Sequence, residues 1–147
     1  MTTIYVLNGP NLNLLGTREP SVYGTVTLGD VEQRLRARAG AAGVELVFLQ
    51  TNHEGDLVDW IHEAAGAGAS IILNAGAYTH TSLALHDAIK AVTATVVEVH
   101  LSNTHARETV RHHSFVAPVA AGVIMGFGAR SYELALEALL PAEPQQS

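Results

Sequence analysis

Short apolar runs alternate along this chain with stretches whose apolar residues recur every three or four positions. The runs Ile4 to Leu7, Val44 to Leu49, Ser70 to Leu73, Thr95 to Val99 and Val119 to Met125 have strand length and are rich in branched residues. Between them, Leu28, Val31, Leu35, Ala39 and Ala42 mark a helix that Thr27 can cap and that ends near Gly43. Leu57, Val58, Ile61, Ala64 and Ala65 mark a second helix, closed by the glycine-rich AGAGA stretch, and Leu85, Ala88, Ile89 and Val92 mark a third. Residues 105 to 113 suit a short helix, and Tyr132, Ala135, Leu136, Leu139 and Leu140 form the inner stripe of a last one. Five strands alternating with helices predict an α/β fold: a parallel sheet with helices on both faces and right-handed crossovers.

The strand order expected for such a chain is the flavodoxin-like 2-1-3-4-5, whose crevice lies beyond the carboxyl ends of strands 1 and 3, with strand 4 at its border. The polar residues that follow those strands should therefore converge. They are Asn11, Arg18 and Tyr23 after strand 1, Asn74 and His80 after strand 3, and His100, Ser102 and Asn103 after strand 4. The first of these segments organises the rest. About 18 residues separate Leu7 from the next helical pattern, against roughly 2 to 6 for ordinary strand-to-helix loops. With three glycines, two prolines and the buried-looking Leu12, Leu14 and Leu15, it reads as an ordered, partly mobile functional loop.

Composition narrows the possibilities. A chain of 147 residues can bury a proper core as a single domain, with the tail from about 141 to 147 expected to be disordered. Hydrophobic residues make up 48% and charged ones 15%, which leaves so little charge for a surface that part of it is expected to be an oligomer interface. The formal net charge is -6 and the eight Lys and Arg are dispersed, arguing against nucleic acid as a partner. There is no cysteine, hence no disulfide, thiolate metal site or cysteine nucleophile. No apolar run approaches a membrane span and no signal-like segment opens the chain, so a cytoplasmic protein with no membrane partner is expected.

Glu98 and His100 stand two apart on a strand and so share a face, where a carboxylate can hold an imidazole in one tautomer for acid catalysis. A carboxylate inside the apolar run VVEV is costly unless partnered, which favours function over a histidine that merely ends a strand. The backbone of Leu101 and Ser102, leading into a short helix, with Arg111 beyond, forms a natural seat for a carboxylate or phosphate; Ser102 and Asn103 also suit plain helix capping. Tyr23 lies five residues after Arg18. A tyrosine becomes a base only if its pKa falls from about 10 toward neutrality, roughly 3 to 4 kcal/mol of environment, and a guanidinium acts in that direction. His105, His112 and His113 invite a metal reading, but they lack the zinc-type i, i+4 spacing and acidic or cysteine companions, so no metal or other cofactor is expected. Gly126-Phe127-Gly128 is a weak echo of a dinucleotide fingerprint, with Ser131 at the third glycine position. On residues alone, three readings stand: a cofactor-free enzyme, a flavodoxin-like small-anion-binding module, and a metal-dependent hydrolase.

The segments NGPNLNLLGTREPSVYG, NAGAYTHTSLALHDAI and EVHLSNTHARETVRHHS together resemble the type II 3-dehydroquinate dehydratases, over about residues 4 to 140. The resemblance implies a flavodoxin-like fold assembled as trimers, usually four in a dodecamer. It also implies a hydro-lyase that converts 3-dehydroquinate to 3-dehydroshikimate through an enolate, in the shikimate pathway to aromatic amino acids or, in some members, in quinate breakdown. By the resemblance, Tyr23, as tyrosinate favoured by Arg18, removes the proton beside the ketone. A water held near Asn11 stabilises the developing oxyanion, and His100, oriented by Glu98, protonates the departing hydroxyl. Asn74, His80, Ser102, the Leu101 backbone and Arg111 would surround the substrate, with Asp87 reaching in from a neighbouring subunit. Two positions depart from the pattern. Ala75 replaces the usual proline between Asn74 and Gly76, freeing a dihedral and loosening the placement of Asn74, and His86 stands where arginine is common beside Asp87.

Overall fold

A computed structural model of the chain describes residues 2–17, 21 and 24–142. Among them, five parallel strands form one sheet in the order β2-β1-β3-β4-β5. The strands are β1 (Thr3–Asn8), β2 (Glu45–Gln50), β3 (Ser70–Asn74), β4 (Val96–His100) and β5 (Gly122–Met125). The main helices are α1 (Leu28–Ala41), α2 (Glu54–Gly66), α3 (Leu83–Lys90) and α4 (Arg130–Leu139). The expected order and alternation are therefore those observed.

Strand parity divides the core in two. Ile4 and Val6 of β1, Ile72 of β3, and Val97 and Val99 of β4 pack with Val31 and Leu35 of α1 and Tyr132 and Leu136 of α4. The residues between them, Tyr5, Leu7, Ile71, Leu73 and Val96, pack with Leu57 and Ile61 of α2 and Leu85 and Ile89 of α3. A central strand covered on both faces needs apolar side chains at every position, which is why β1 reads as a continuous run rather than an alternating one. Helix α1 begins at the expected cap: Thr27 accepts from Asp30 N, and Thr27 N donates to the Asp30 carboxylate. Gly43, with φ +71, turns the chain just beyond its end.

Several boundaries differ from expectation. Strands β1 and β3 each run one residue further, to Asn8 and Asn74, and β4 runs through His100. The fifth strand starts at Gly122 instead of Val119, because Ala117–Val119 form a tight 3₁₀ turn around Pro118, whose fixed φ and missing N–H suit a turn start. Residues 105 to 113 make no α-helix. They form two 3₁₀ turns, Thr104–Ala106 and Thr109–Arg111, separated by extended backbone at Arg107. So short a segment gains little from propagation after its costly first turn. In the loop after β1, the 3₁₀ turn Leu12–Leu14 buries Leu12 and Leu15, which lie three apart, but leaves Leu14, expected to be buried with them, 47% exposed. The expected disorder of the tail falls largely on residues 143–147, outside the described residues.

Candidate active site

The carboxyl ends of β1 and β3 present the same residue type at the same height, since Asn8 pairs in register with Asn74. Both side chains are buried and both meet the phenol of Tyr132. Tyr132 Oη donates to Asn8 Oδ1 at 2.7 Å, and Asn74 Nδ2 donates to Tyr132 Oη at 2.9 Å. The two loops that follow are pressed together. A Cβ on Gly9 would lie 2.4 Å from the Ala75 carbonyl oxygen, so only glycine fits there. Gly9 N also donates to Asn74 O at 2.8 Å. Asn74 is thus held from three directions, with its Oδ1 accepting from Gly76 N at 3.2 Å, and the alanine at position 75 leaves it anchored.

On the opposite face of the sheet, Glu98 and His100 project together as strand geometry requires. His100 Nε2 lies 2.6 Å from Glu98 Oε2, and both side chains are more than nine-tenths buried. The other carboxylate oxygen accepts from Ser114 Oγ at 2.8 Å. Ser114 Oγ in turn accepts from the backbone N–H groups of Val116 and Ala117, so its own hydrogen has one direction left, toward Glu98. Both carboxylate oxygens are partnered, as a buried charge demands. With Nε2 engaged, His100 Nδ1 is the ring nitrogen left for a ligand.

These groups open onto one cleft, with a cavity volume of about 110 Å³. Asn11, Asn74, His80, His100, Leu101, Ser102 and Arg111 all line it, so side chains about 90 residues apart in sequence do converge. Arg18 and Tyr23 lie outside the described residues. Asn103 is not part of the lining; its side chain accepts from His105 N, the capping role weighed for it. Asp87 sits exposed on α3, also away from the cleft lining of its own chain. Asn11 has φ +68, the left-handed region that asparagine tolerates better than most residues, and its N–H donates to Asn52 Oδ1 at 3.0 Å.

Charge in the cleft follows from the same contacts. His80 Nδ1 faces the carbonyl of His113 at 2.8 Å and must carry its hydrogen there, which leaves Nε2 as an acceptor in the neutral ring. Partial burial pushes the His80 imidazole below its ordinary pKa, and the neighbouring His100 and Arg111 act in the same direction. Its ring lies 6.3 Å from that of His100, centroid to centroid. Arg111 pairs with Glu108, whose carboxyl it holds below the usual range, and Arg107 also approaches Glu108 at 3.8 Å. Where an anion seat at a helix N-terminus was expected, the cleft is lined by Ser102, Arg107 and Arg111, in and beside two 3₁₀ turns, with no α-helix behind them.

Sequence reasoning missed Arg107 in the lining, Ser114 behind Glu98, and the Asn8–Tyr132 support of Asn74. The runs IYVLN and SIILN, each closing on asparagine, carry a signal that could have found Asn8. Tyr132 carries none, because an aromatic on a helix's inner stripe reads as core. Of the histidines of the metal reading, His112 Nε2 donates to the Arg107 carbonyl at 2.7 Å and its ring lies 6.0 Å from that of His105, while His113 packs edge-on against Phe115. Among the described residues no group of three or more His, Asp or Glu is arranged to hold a metal ion. His86 Nδ1 lies 2.8 Å from the Phe115 carbonyl and is thus used within its own chain. No helix among the described residues is long and apolar enough to cross a membrane.

Comparison with known proteins points the same way. The model of the dehydroquinase class II family matches residues 2–140. The 3-dehydroquinate dehydratase of Azorhizobium caulinodans is 62% identical over 142 residues, 97% of this chain and 96% of that protein. That of a Chelativorans species is 62% identical over 138 residues, 93% of this chain and 95% of that protein. The crystal structure of type II dehydroquinase from Propionibacterium acnes superposes with a TM-score of 0.92 at 42% identity, covering 95% of this chain and 97% of that one. A 3-dehydroquinate dehydratase-like protein from Bifidobacterium longum gives a TM-score of 0.72 at 31% identity, covering 95% and 96%. A family match spanning nearly the whole chain, over a sheet of the same topology, leaves one assignment: this chain belongs to the class II dehydroquinases.

Proposed function

We propose that the chain is a single-domain 3-dehydroquinate dehydratase, a hydro-lyase that removes water from 3-dehydroquinate to give 3-dehydroshikimate in the shikimate pathway. Family membership supports the activity, and one observation carries the chemistry: a buried Glu98–His100 pair that opens onto the same cleft as Asn11, Asn74, His80, Ser102 and Arg111. In this reading Tyr23, as tyrosinate beside Arg18, takes the proton from the carbon next to the ketone. The enolate oxygen is met by a water held near Asn11, an oxyanion site prepared before charge develops. His100 then delivers a proton to the departing hydroxyl, and Glu98 keeps the imidazole aimed. Acid and base steps of this kind typically contribute about 10²- to 10⁴-fold each. Asn74, His80, Ser102 and the Leu101 backbone take the substrate's hydroxyls and carboxylate together with Arg111, and no metal or organic cofactor enters the reaction.

The same reading makes the enzyme a cytoplasmic dodecamer of four trimers in which Asp87 completes a neighbour's site. Three observations support assembly: the low share of charged residues, the edge position of β5 in the sheet of the described residues with Val123 exposed, and Phe127 and Val110 standing 62% and 70% exposed. The test of activity is direct. Purified protein mixed with 3-dehydroquinate should develop the ultraviolet absorbance of a conjugated enone carboxylate, unchanged by chelator and lost in Tyr23→Phe. Binding of the compound with no absorbance change would instead identify an anion-binding module.

A further inference from the structure

The contacts between the two switch-point asparagines and the last helix have a fixed polarity. Asn8 Nδ2 donates to the Leu49 carbonyl at 2.9 Å, and a carbonyl accepts only hydrogen, so Oδ1 is the atom that faces Tyr132. At the other end Asn74 faces the Gly76 N–H, which only donates, so Oδ1 takes that side and Nδ2 faces Tyr132. The phenol must therefore donate to Asn8 and accept from Asn74, and the direction of every hydrogen follows from two backbone groups. Tyr132 is fully buried, and desolvation pushes its phenol above the ordinary pKa, which keeps the donor hydrogen in place across the physiological range. One Nδ2 hydrogen of Asn74 is spent on Tyr132, and Asn74 also lines the cleft. Its second Nδ2 hydrogen is the one left to meet a ligand acceptor.

We propose that Tyr132 is a positioning residue: by fixing the amide of Asn74 through the Asn8–Tyr132–Asn74 relay, it aims the remaining N–H of Asn74 at an acceptor oxygen of the substrate. The proposal rests on the dehydratase reading for its substrate, and it gives the C-terminal helix a part in recognition. A hydrogen bond to a group that does not react acts equally on ground and transition states, so its loss raises KM and spares kcat. Tyr132 never touches the substrate and acts only through Asn74.

Steady-state kinetics with 3-dehydroquinate on the purified enzyme tests this. Tyr132→Phe keeps the ring and removes the hydroxyl, and it should raise KM about ten-fold with kcat changed by less than about two-fold. Asn74→Ala should have an effect of the same kind, and Tyr132→Phe/Asn74→Ala should be no worse than Asn74→Ala alone. If Tyr132→Phe fails to fold because Asn8 is left unpaired, Asn8→Leu/Tyr132→Phe replaces that pair with apolar groups and should show the same rise in KM. An active wild type beside a Tyr132→Phe variant with unchanged KM overturns the proposal, as do effects that multiply in the double variant. A wild type without turnover overturns the dehydratase reading itself, and the proposal with it.

Discussion

The carboxylate of Glu98 and the imidazole of His100 meet at 2.6 Å with almost no exposure to solvent, and Ser114 closes the far side of the carboxylate. Glutamine at position 98 can still accept from Nε2–H through its one oxygen, but its NH2 then meets Ser114, so Glu98→Gln keeps the bond to His100 while removing the charge and the acceptor of Ser114 together. If His100 is the acid, the change should lower kcat by about 10²-fold while KM moves little, because the negative charge would matter most while His100 is protonated. Steady-state rates of enone formation check this, and a kcat within about two-fold of the wild type would mean that the charge plays no part.

The contact between the loops after β1 and β3 predicts opposite outcomes for two small changes. Gly9→Ala drives a methyl group into the Ala75 carbonyl, where backbone has to move, and should destabilise the protein by at least about 1 to 3 kcal/mol. Ala75→Pro should do the reverse. Residue 75 already has φ -77, close to the value a proline ring imposes, and Asn74 before it is in a strand, as a residue preceding proline prefers. A gain of about 0.4 to 1 kcal/mol in urea denaturation is expected, with KM unchanged because Asn74 is already pinned.

The fold was legible because β1, β3 and β4 are apolar on both faces and the helices between them carry their stripes at regular spacing. The last strand and the segment after β4 were less so. Pro118 turned the start of an apparent strand into a 3₁₀ turn, and the short segment between Thr104 and Arg111 forms two turns in place of one expected helix. In the site, Glu98 stood out as a charge in an apolar run and His100 stood two residues beyond it. Ser114 and Tyr132 did not, since each acts through a partner far away in sequence and no spacing rule relates residue 132 to residue 74. Arg18 and Tyr23 were readable as chemistry, but they lie outside the described residues.

The state of His80 gives a pH dependence of stability with a definite sign. Its folded pKa lies below the unfolded value of 6.5, with burial the largest cause. Between those two values the unfolded chain binds more protons than the folded one, so stability rises with pH there. Stability should therefore be fully present above about pH 6.5, fall as the pH drops below it, and level off once the folded pKa is passed. Urea midpoints from pH 7.5 downward should show this fall in the wild type, and His80→Gln should flatten it; an equal slope in both would assign it to other groups.

Asp87 offers a test of shared sites that needs no structure of the assembly. It is exposed on α3 and does not line the cleft of its own chain, so a role at the substrate requires a second copy. Asp87→Ala should then lose most of its kcat/KM, and Tyr23→Phe should lose nearly all of its kcat. Mixed, unfolded and refolded together in equal amounts, the two inactive variants should recover about a quarter of wild-type activity, because a working site needs Tyr23 from one chain and Asp87 from the next. If the mixture stays as inactive as its components while light scattering shows intact mixed oligomers, the aspartate acts within its own subunit and the shared-site arrangement is wrong.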